Sequence, residues 1–308
     1  MYVPPRAVTN DDLSRMVETN DEWIRQRVGV VERRVSTDEW TSEMATKAAV
    51  AALENAGVEP AELDLILAAT VSGETVSPSV SAMVQHNLGA TCPAFDINAA
   101  CSAFIFLLET AAGFFARGKA QRVLVVGAER LSGILDWTDR STCIIFGDGA
   151  GAAVLTSGDG YLDSTLTVAG GDDVIKIPHF PGSSPFFERE IESPYIHMKG
   201  QETFKYAVNA MSGDITTLLT RNALTADDIK YIVPHQANRR IIDFTAKKLG
   251  IPAEKFYVNI EKYGNTSSAS VPIALDELNR AGALEPGDLV ILSAFGGGLT
   301  NGACLLKW

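Results

Sequence analysis

Cys101 stands in the stretch of the chain that is best suited to covalent chemistry. A short apolar strand precedes it, Ala99 and Ala100 form a sharp turn, and an almost wholly apolar helix follows. A helix without a polar face is expected to be buried, so this cysteine would lie at a helix N-terminus inside the molecule. The first-turn amides and the helix dipole are expected to stabilise a thiolate there. The competing interpretation is a structural cysteine, because free cysteine is among the most buried residue types.

Two further polar residues occupy comparable positions later in the chain. His235 follows the apolar strand that ends at Pro234, Asn265 lies in the turn Gly264-Asn-Thr-Ser, and each precedes a helix. A thiolate with histidine and asparagine donors suits acyl transfer, because sulfur accepts the acyl group while the donors stabilise the developing oxyanion. Taken singly, a core histidine and a helix-capping asparagine are the commoner interpretations. Because all three residues are expected at the ends of strands, the sequence predicts that they form a catalytic trio.

Similar elements recur in the same order about 160 to 170 residues apart, which predicts two duplicated α/β halves. The matching segments are 58–67 with 224–233, the Cys101 strand, turn and helix with the segment from Phe256, and 122–127 with 288–293. Alternating strands and helices predict mainly parallel, helix-covered sheets, which bind ligands beyond the carboxyl ends of their strands. The predicted division is 1–156 for the half with the nucleophile, 157–200 for a loop-rich connection, and 201–308 for the half with His235 and Asn265.

The composition argues against several classes of protein. The chain has 308 residues, of which 46% are hydrophobic, enough for a large core or two fused half-domains. Its net charge of −12 argues against nucleic-acid and membrane-surface binding. The four cysteines lack CxxC spacing and the four histidines are scattered, which predicts neither a disulfide framework nor a metal site. The apolar runs are too short to span a membrane, and the N-terminus has no apolar signal-peptide core. These features predict a soluble cytoplasmic protein. The histidines are His86, His179, His197 and His235.

Several motifs are specific enough to suggest a family. They are Asp21-Glu-Trp-Ile, Asp96-Ile-Asn-Ala-Ala-Cys-Ser, Thr138-Asp-Arg, Ile145-Phe-Gly-Asp-Gly-Ala-Gly-Ala-Ala-Val-Leu, Pro234-His-Gln-Ala-Asn, Gly264-Asn-Thr-Ser and Ala294-Phe-Gly-Gly-Gly. From about Tyr2 to Trp308 the sequence resembles β-ketoacyl-acyl carrier protein synthase III, an initiating condensing enzyme of type II fatty acid synthesis. The resemblance implies the thiolase-like α/β fold, in which two duplicated halves pack as a layered αβαβα sandwich.

The resemblance also implies a reaction. An acyl group would pass from acyl-coenzyme A to Cys101, and a decarboxylative Claisen condensation with malonyl-acyl carrier protein would give a 3-oxoacyl-acyl carrier protein. His235 and Asn265 would assist the decarboxylation of the malonyl group. No cofactor is implied, because acyl-coenzyme A is a substrate. The implied substrate-binding residues are Trp23 and Arg140 at the adenine, Arg27 near the phosphates, Asn238, and Phe295 beside the cysteine.

Surface partners are expected at two places. Arg240 and Lys247 lie seven residues apart on the helix after His235, with Lys248 beside them, and the resemblance adds Lys205 as a carrier-protein contact. An ordinary solvated helix face is the alternative, but a local basic patch on an acidic protein would steer an acidic carrier. The resemblance further implies a homodimer in which the segment 72–79 reaches the neighbouring acyl pocket. Acetyl-preferring members place an aromatic residue where Ser77 stands, beside Val76, so a deeper primer pocket is expected.

Other enzymes of the same fold, and the alternative functions, can be distinguished by particular residues. Elongating synthases resemble Cys-His-His, whereas the third residue here is Asn265, and degradative thiolases carry a second cysteine where Phe295 stands. Polyketide-type synthases and secondary-metabolite acyltransferases of the same fold remain the enzymatic alternative. A non-catalytic partner that binds carrier protein is the alternative of another class, although such proteins typically lose the nucleophile. One departure concerns the front: family members usually have a strand before Tyr2-Val-Pro, so one sheet is expected to lack a strand.

Overall fold

The computed structural model describes residues 1–178, 185–186, 188 and 192–308, and these form alternating helices and strands. The helices are α1 (Asn10–Ser14), α2 (Asp21–Arg27), α3 (Thr41–Ala56), α4 (Val80–Leu88), α5 (Ala103–Ala116), α6 (Arg140–Cys143), α7 (Gly200–Arg221), α8 (Arg239–Leu249), α9 (Ile260–Tyr263) and α10 (Ser270–Arg280). The strands are β1 (Ala7–Thr9), β2 (Glu32–Arg34), β3 (Leu65–Ala69), β4 (Ala94–Ile97), β5 (Arg122–Glu129), β6 (Gly149–Thr156), β7 (Tyr161–Val168), β8 (Ile175–Lys176), β9 (His197–Met198), β10 (Ile229–Pro234), β11 (Leu289–Gly296) and β12 (Thr300–Lys307).

Two four-stranded sheets repeat one pattern of strands. The first has the order β4-β3-β5-β6 and the second the order β10-β11-β12-β7. In the first sheet β3 is parallel to β5 and β5 antiparallel to β6, and in the second β10 is parallel to β11 and β11 antiparallel to β12. The pairing registers correspond as well. The last residue of β3, Ala69, pairs with Gly127 on β5, and the last residue of β10, Pro234, pairs with Ser293 on β11. The predicted duplication is therefore present in the sheet topology.

Helices α5 and α10 lie between the two sheets. Buried residues of both helices share one hydrophobic core with residues from both sheets, among them Leu107 on α5 and Val271 on α10. Helices α3 and α4 cover the outer face of the first sheet, and α7 and α8 cover that of the second. The implied layered αβαβα sandwich is confirmed. The central position of α5 also explains its lack of a polar face, because each buried Leu or Phe side chain contributes about 1.5–3 kcal/mol.

The segment 157–200 differs from the expected loop-rich connection. It begins with β7, which pairs antiparallel with β12 as an edge strand of the second sheet. The residues of β7 include Tyr161, Thr165 and Thr167, types that favour a pleated strand. Turn-forming residues on both sides of this strand obscured its alternation in the sequence. The second sheet therefore includes a strand, β7, that precedes residue 201, where the half with His235 and Asn265 was predicted to begin.

The two sheets differ at the edge beside β6. Whereas β7 pairs along β12, β6 is joined on that side by an isolated bridge between Tyr2 and Ala150. The backbone of Tyr2 both donates to and accepts from Ala150, at 2.8 Å in each direction. This bridge lies at the edge of the first sheet from which the sequence predicted that a strand is missing.

Two features are absent from the described residues: a helix that could span a membrane and a cluster of metal-binding side chains. Every helix in this part of the chain is too short or too polar to cross a bilayer. The same residues contain no cluster of three or more His, Cys, Asp or Glu side chains that could hold a metal ion. His179, one of the four histidines considered from the sequence, lies outside the described residues.

Candidate active site

A tight turn carries Cys101 from β4 to α5. Residues Ala100–Ser102 form a single 3₁₀ turn, and Ala100 adopts the left-handed conformation with φ of 48°. Such a conformation costs on the order of 1–3 kcal/mol for a residue with a side chain, and it recurs at functional turns. The backbone N–H of Ala100 donates to Asn98 Oδ1 at 3.2 Å, which helps to hold the turn. Gly296 is required opposite, because a Cβ there would lie 2.6 Å from the Cys101 nitrogen.

The second half contains the counterpart of this turn. Residues Ser267–Ala269 form a 3₁₀ turn before α10, and Ser267 has a φ of 49°. Gly127 on β5 is required opposite it, because a Cβ there would lie 2.3 Å from the carbonyl oxygen of Ser268. Where the two halves meet, each left-handed turn therefore packs closely against a glycine on a strand of the other half.

Loss of hydration dominates the environment of the Cys101 sulfur, although the residue as a whole is only half-buried. Desolvation raises its pKa to about 12, the Ser267 hydroxyl beside it lowers the pKa, and the Glu129 carboxyl raises it. The thiol form therefore predominates at neutral pH in the ligand-free protein. The expectation of a resting thiolate at the helix N-terminus is wrong here, because the loss of hydration outweighs the favourable end of the helix dipole.

His235 lies immediately after β10 and is 1% exposed. Its backbone N–H donates to Ser293 O at 2.8 Å, and its ring packs edge-on against Phe295 with 5.3 Å between centroids. Burial lowers the pKa of the imidazole to about 3. His235 is therefore neutral at physiological pH and offers one N–H donor rather than a positive charge.

Asn265 is held by backbone bonds to the segment before β6. Its N–H donates to Ile145 O at 2.9 Å, and its carbonyl accepts from Gly147 N at 3.0 Å. The side-chain Oδ1 accepts from Ser267 N at 2.8 Å. Because this bond occupies Oδ1, the amide Nδ2 is the group left to donate into the cavity. Through Oδ1, Asn265 also holds the start of the 3₁₀ turn Ser267–Ala269, which leads directly into α10 at Ser270.

Cys101, His235 and Asn265 line one cavity of about 990 Å³. Phe295 lies in the same wall and is 2% exposed. The structure thus brings together the predicted trio and the aromatic residue expected beside the cysteine. The sequence did not lead us to predict an apolar part of the cavity lining. The only sequence signal for this part was a scatter of β-branched and aromatic residues in three segments that connect strands and helices. This part comprises Val71, Leu131, Ile134, Phe146, Ile175, Ile177 and Ile196.

Trp23 and Arg140 form a second region of the cavity wall. The Arg140 guanidinium lies 5.2 Å from the centre of the Trp23 ring and donates to Glu18 O at 2.7 Å. Asn238 also lines the cavity, and it caps α8 by accepting from Arg240 N at 2.9 Å. The side chain of Arg27 is exposed and absent from the lining, while its carbonyl accepts from Asn238 Nδ2.

The four basic residues predicted for the carrier protein are exposed on two packed helices, with Lys205 on α7 and Arg240, Lys247 and Lys248 on α8. An aromatic pair lies among them: the rings of Phe204 and Phe244 are 5.4 Å apart, and Phe244 is 48% exposed. The Arg240 guanidinium lies 5.6 Å from the Phe204 ring centre, and Phe204 also lines the cavity. Sequence reasoning missed this pair, although Phe244 interrupts a polar helix face.

The two predicted primer-pocket residues are placed differently. Val76 lines the cavity and is 81% exposed. The neighbouring Ser77 is exposed and is not part of the lining. Within the single chain, only Val76 therefore reaches the predicted pocket.

Comparisons with known proteins agree with this geometry. The family described as 3-oxoacyl-[acyl-carrier-protein] synthase III matches residues 95–170, and the C-terminal part of that family matches residues 219–308. A β-ketoacyl-[acyl-carrier-protein] synthase III of Clostridium acetobutylicum is 47% identical, over 100% of this chain and 96% of the relative. The chain belongs to the 3-oxoacyl-[acyl-carrier-protein] synthase III family. It is a condensing acyltransferase of the initiating type in fatty acid synthesis.

Solved structures support the same family and fold. The synthase III of Aquifex aeolicus superposes with a TM-score of 0.94 at 44% identity, covering 100% of this chain and 97% of the other. The priming β-ketosynthase of the R1128 polyketide pathway superposes with a TM-score of 0.91 at 36% identity, covering 99% and 93%. The thiolase-like fold implied by the motifs is therefore confirmed.

Proposed function

We propose that Cys101 carries the acyl group and that His235 and Asn265 act together in the condensation. The observation that carries the proposal is their meeting on one cavity at the junction of the two halves. In the first half-reaction, Cys101 Sγ attacks the acyl-coenzyme A carbonyl and the bond to the coenzyme A sulfur breaks. The proton of the cysteine thiol ends on that departing sulfur. The second product of this step is free coenzyme A.

The second half-reaction uses the two neutral donors. The bond from the malonyl carbon to its carboxylate breaks, carbon dioxide leaves, and the electron pair forms an enolate on the carrier thioester. The imidazole N–H of His235 and Nδ2–H of Asn265 stabilise the negative charge on the thioester oxygen. The enolate carbon then attacks the acyl carbonyl on Cys101, the bond from that carbonyl carbon to the cysteine sulfur breaks, and the departing thiolate takes up a proton from solvent water. A neutral imidazole suits this role, because a donor is required and no proton needs to be lost.

The experiment that tests these roles is intact-protein mass spectrometry after incubation with a panel of acyl-coenzyme A esters. We expect one acyl addition per chain and its loss on adding malonyl-carrier protein. An addition on another cysteine would contradict the proposal. The substrate-binding roles of Trp23, Arg140, Asn238 and Phe295 are supported by their positions on the cavity wall. The exposed guanidinium of Arg27 would meet the coenzyme A phosphates outside the cavity.

The carrier protein is proposed to dock on the basic patch of α7 and α8, which we define as Lys205, Arg240, Lys247 and Lys248. Phe204 and Phe244 supply an apolar centre to this patch and extend from the surface to the cavity wall. An acidic helix with a few apolar side chains would match both features.

Charge reversal tests this surface. Arg240→Glu and Lys247→Glu should each raise KM for malonyl-carrier protein while leaving acylation from coenzyme A esters nearly unchanged. Each exposed charge contributes at most about 1 kcal/mol, and the effect should shrink as salt rises. Lys119→Glu, beyond the opposite end of α5 from Cys101, is the matched control. The effect of Phe244→Ala should persist at high salt, because an apolar contact is not screened. Equal losses in both half-reactions would contradict separate docking.

A homodimer is proposed in which the segment 72–79 of one chain helps to line the acyl pocket of its partner. The high exposure of Val76 supports a covering partner, and so does the outer edge of β4, with which no other described strand pairs and where Phe95 is 38% exposed. In that arrangement Ser77 would reach the far end of the partner's pocket.

Primer size tests the arrangement. The unmodified protein should accept primers longer or more branched than acetyl, because a serine leaves the space that an aromatic ring would occupy. Each additional buried methylene contributes up to about 0.8 kcal/mol. Ser77→Phe should shift the preference toward acetyl-coenzyme A, whereas Ser77→Ala should leave it unchanged. Acylation competition with acetyl, butyryl, isobutyryl and hexanoyl esters measures this preference. Acylation of the unmodified protein by the acetyl ester alone would show that the segment is misassigned.

A further inference from the structure

Arg130 follows β5 directly and is a cation of the cavity lining that the proposed reaction does not use. Its guanidinium lies 4.9 Å from the centre of the Trp40 ring. It also lies against Gly133, where an added Cβ would be 2.8 Å from the nearer guanidinium nitrogen. Both Trp40 and Gly133 line the cavity, and Trp40 is 52% exposed. The charged end of Arg130 therefore lies at the cavity wall.

This guanidinium makes no hydrogen bond or ion pair with any residue that the structure describes. Burial raises the pKa of Asp148 and the charge of Arg130 lowers it. The Asp148 oxygens nevertheless accept from Ser36 N at 2.8 Å and from Ser132 N and Oγ at 2.9 and 2.6 Å. Glu74, the acid of the lining, accepts from the start of α3 at 3.3 Å. A half-buried cation thus lines the cavity with its N–H donors unused.

Among the described residues, two arginine–tryptophan pairs line the cavity, and only one of them has a proposed ligand. Arg140 lies 5.2 Å from the centre of the Trp23 ring, and this pair is proposed to hold the adenine of coenzyme A. The guanidinium of Arg140 also donates to a backbone carbonyl. The pair of Arg130 and Trp40 lacks such a bond, so its guanidinium can still bind an anion.

Arg130 lies beside the apolar part of the lining. Leu131, the next residue, belongs to this part and is fully buried. The backbone N–H of Arg130 donates to Ser72 Oγ at 2.8 Å, and Ser72 follows Val71, another apolar lining residue. The guanidinium therefore forms a charged border to an apolar wall, an arrangement that suits a ligand with an apolar body and a polar end.

Glu129 connects the position of Arg130 to the catalytic turns. Its Oε2 atom accepts from Ser72 Oγ at 2.5 Å, and its Oε1 atom accepts from Ser268 Oγ at 2.8 Å. Ser268 follows Ser267, which lines the cavity beside the nucleophile. The same strand end thus precedes Arg130 and contacts the turn beside the nucleophile. A primer on the nucleophile can therefore extend along the apolar lining toward the guanidinium.

We propose that Arg130 binds a carboxylate at the distal end of the primer, so that the enzyme accepts coenzyme A esters of linear dicarboxylic acids. The inference rests on the proposed role of Cys101 as the acyl carrier and names a substrate class for that site. Arginine and carboxylate groups form charge-assisted and often bidentate hydrogen bonds, and a tryptophan ring stabilises a guanidinium stacked on its face. The methylene groups between the two ends would pack on the apolar lining.

The acyl transfer itself is the same as for other primers. Cys101 Sγ attacks the thioester carbonyl, the bond to the coenzyme A sulfur breaks, and the thiol proton ends on that sulfur. The distal carboxylate keeps its charge and takes no part in bond making. The expected difference between primers therefore lies in binding, to which a hydrogen bond between charged groups contributes about tenfold or more.

Ester competition on the unmodified protein tests the charge. Adipoyl-coenzyme A and its monomethyl ester have the same chain between the two carboxyl groups, but only the first has a distal negative charge. At the chain length that spans the distance to Arg130, the intact mass should show the charged acyl group on Cys101 in about tenfold excess. The same comparison for succinyl, glutaryl and pimeloyl pairs finds this length. No preference for the charged ester at any length would overturn the proposal.

Arg130→Met removes the charge and keeps an unbranched side chain on the Trp40 ring. Acylation by the preferred dicarboxylic ester should fall about tenfold, whereas acylation by hexanoyl-coenzyme A should stay the same. Arg122→Met is the matched control, because Arg122 begins β5 at the end opposite Arg130 and is paired with Glu62 at 3.2 Å. This control should leave both rates unchanged.

The outcomes separate the roles that Arg130 could have. Equal losses with both kinds of ester in Arg130→Met would assign the residue to the subunit interface or to folding and would overturn the proposal. An unchanged ratio of the two rates would overturn it as well. Hexanoyl transfer to Cys101 tests the proposed function separately, since its persistence beside a failure of every dicarboxylic ester would remove this inference alone. The ester competition uses the unmodified protein and does not depend on how the variant folds.

Discussion

Cys101→Ser is expected to abolish acylation of the protein by acyl-coenzyme A. A serine hydroxyl at neutral pH is a far weaker nucleophile than a cysteine sulfur, and His235, whose pKa burial lowers to about 3, is too weak a base to activate it. The intact mass of the variant should show no acyl addition under conditions that fully acylate the unmodified protein.

The other cysteines supply the control for this result. Cys92, Cys143 and Cys304 are buried and none lines the cavity, so Cys92→Ser should be acylated to the same extent as the unmodified protein. A Cys101→Ser protein that still gained the acyl mass would show that another residue carries the group.

His235→Ala and Asn265→Ala are expected to separate the two half-reactions. Loss of one oxyanion donor typically lowers kcat by about 10² to 10³, so condensation should fall by that order in either variant. Acylation should fall much less, because the proposed donors act mainly on the malonyl thioester. Single-turnover acylation and steady-state condensation, measured on the same preparations, give the two rates.

The pH dependence adds a second criterion for His235. Because burial lowers the imidazole pKa to about 3, below its ordinary value, the residue stays neutral from pH 5 to 8 and becomes charged only in more acidic solution. The condensation rate of the unmodified protein should therefore show no imidazole inflection in that window. An inflection near pH 6.5 that disappears in His235→Ala would contradict the neutral-donor role.

The catalytic candidates could be predicted because their signals are local. Cys101 and His235 each follow an apolar strand and precede a helix, and the carboxyl ends of parallel strands meet at one edge of a sheet. The strand predicted from Phe256 is wrong, because Phe256 makes only an isolated bridge to Ile232 and Asn265 follows the short helix α9. The duplication was also visible, because the matching segments keep their order and spacing. Residue type and spacing were therefore sufficient to predict the fold and its duplication, and to propose the three residues as a catalytic trio.

The ionisation of the same residues depended on the tertiary structure. The helix after Cys101 suggests a thiolate, but only the packing of both halves shows that desolvation dominates and that His235 is neutral. The link from Glu129 to Ser268 spans 139 residues, so no local pattern predicts it. Likewise Phe204 and Phe244 become a pair only when α7 packs on α8. Residue type and spacing along the chain determined which groups could react, whereas burial and contacts between distant segments decided their charge and their partners.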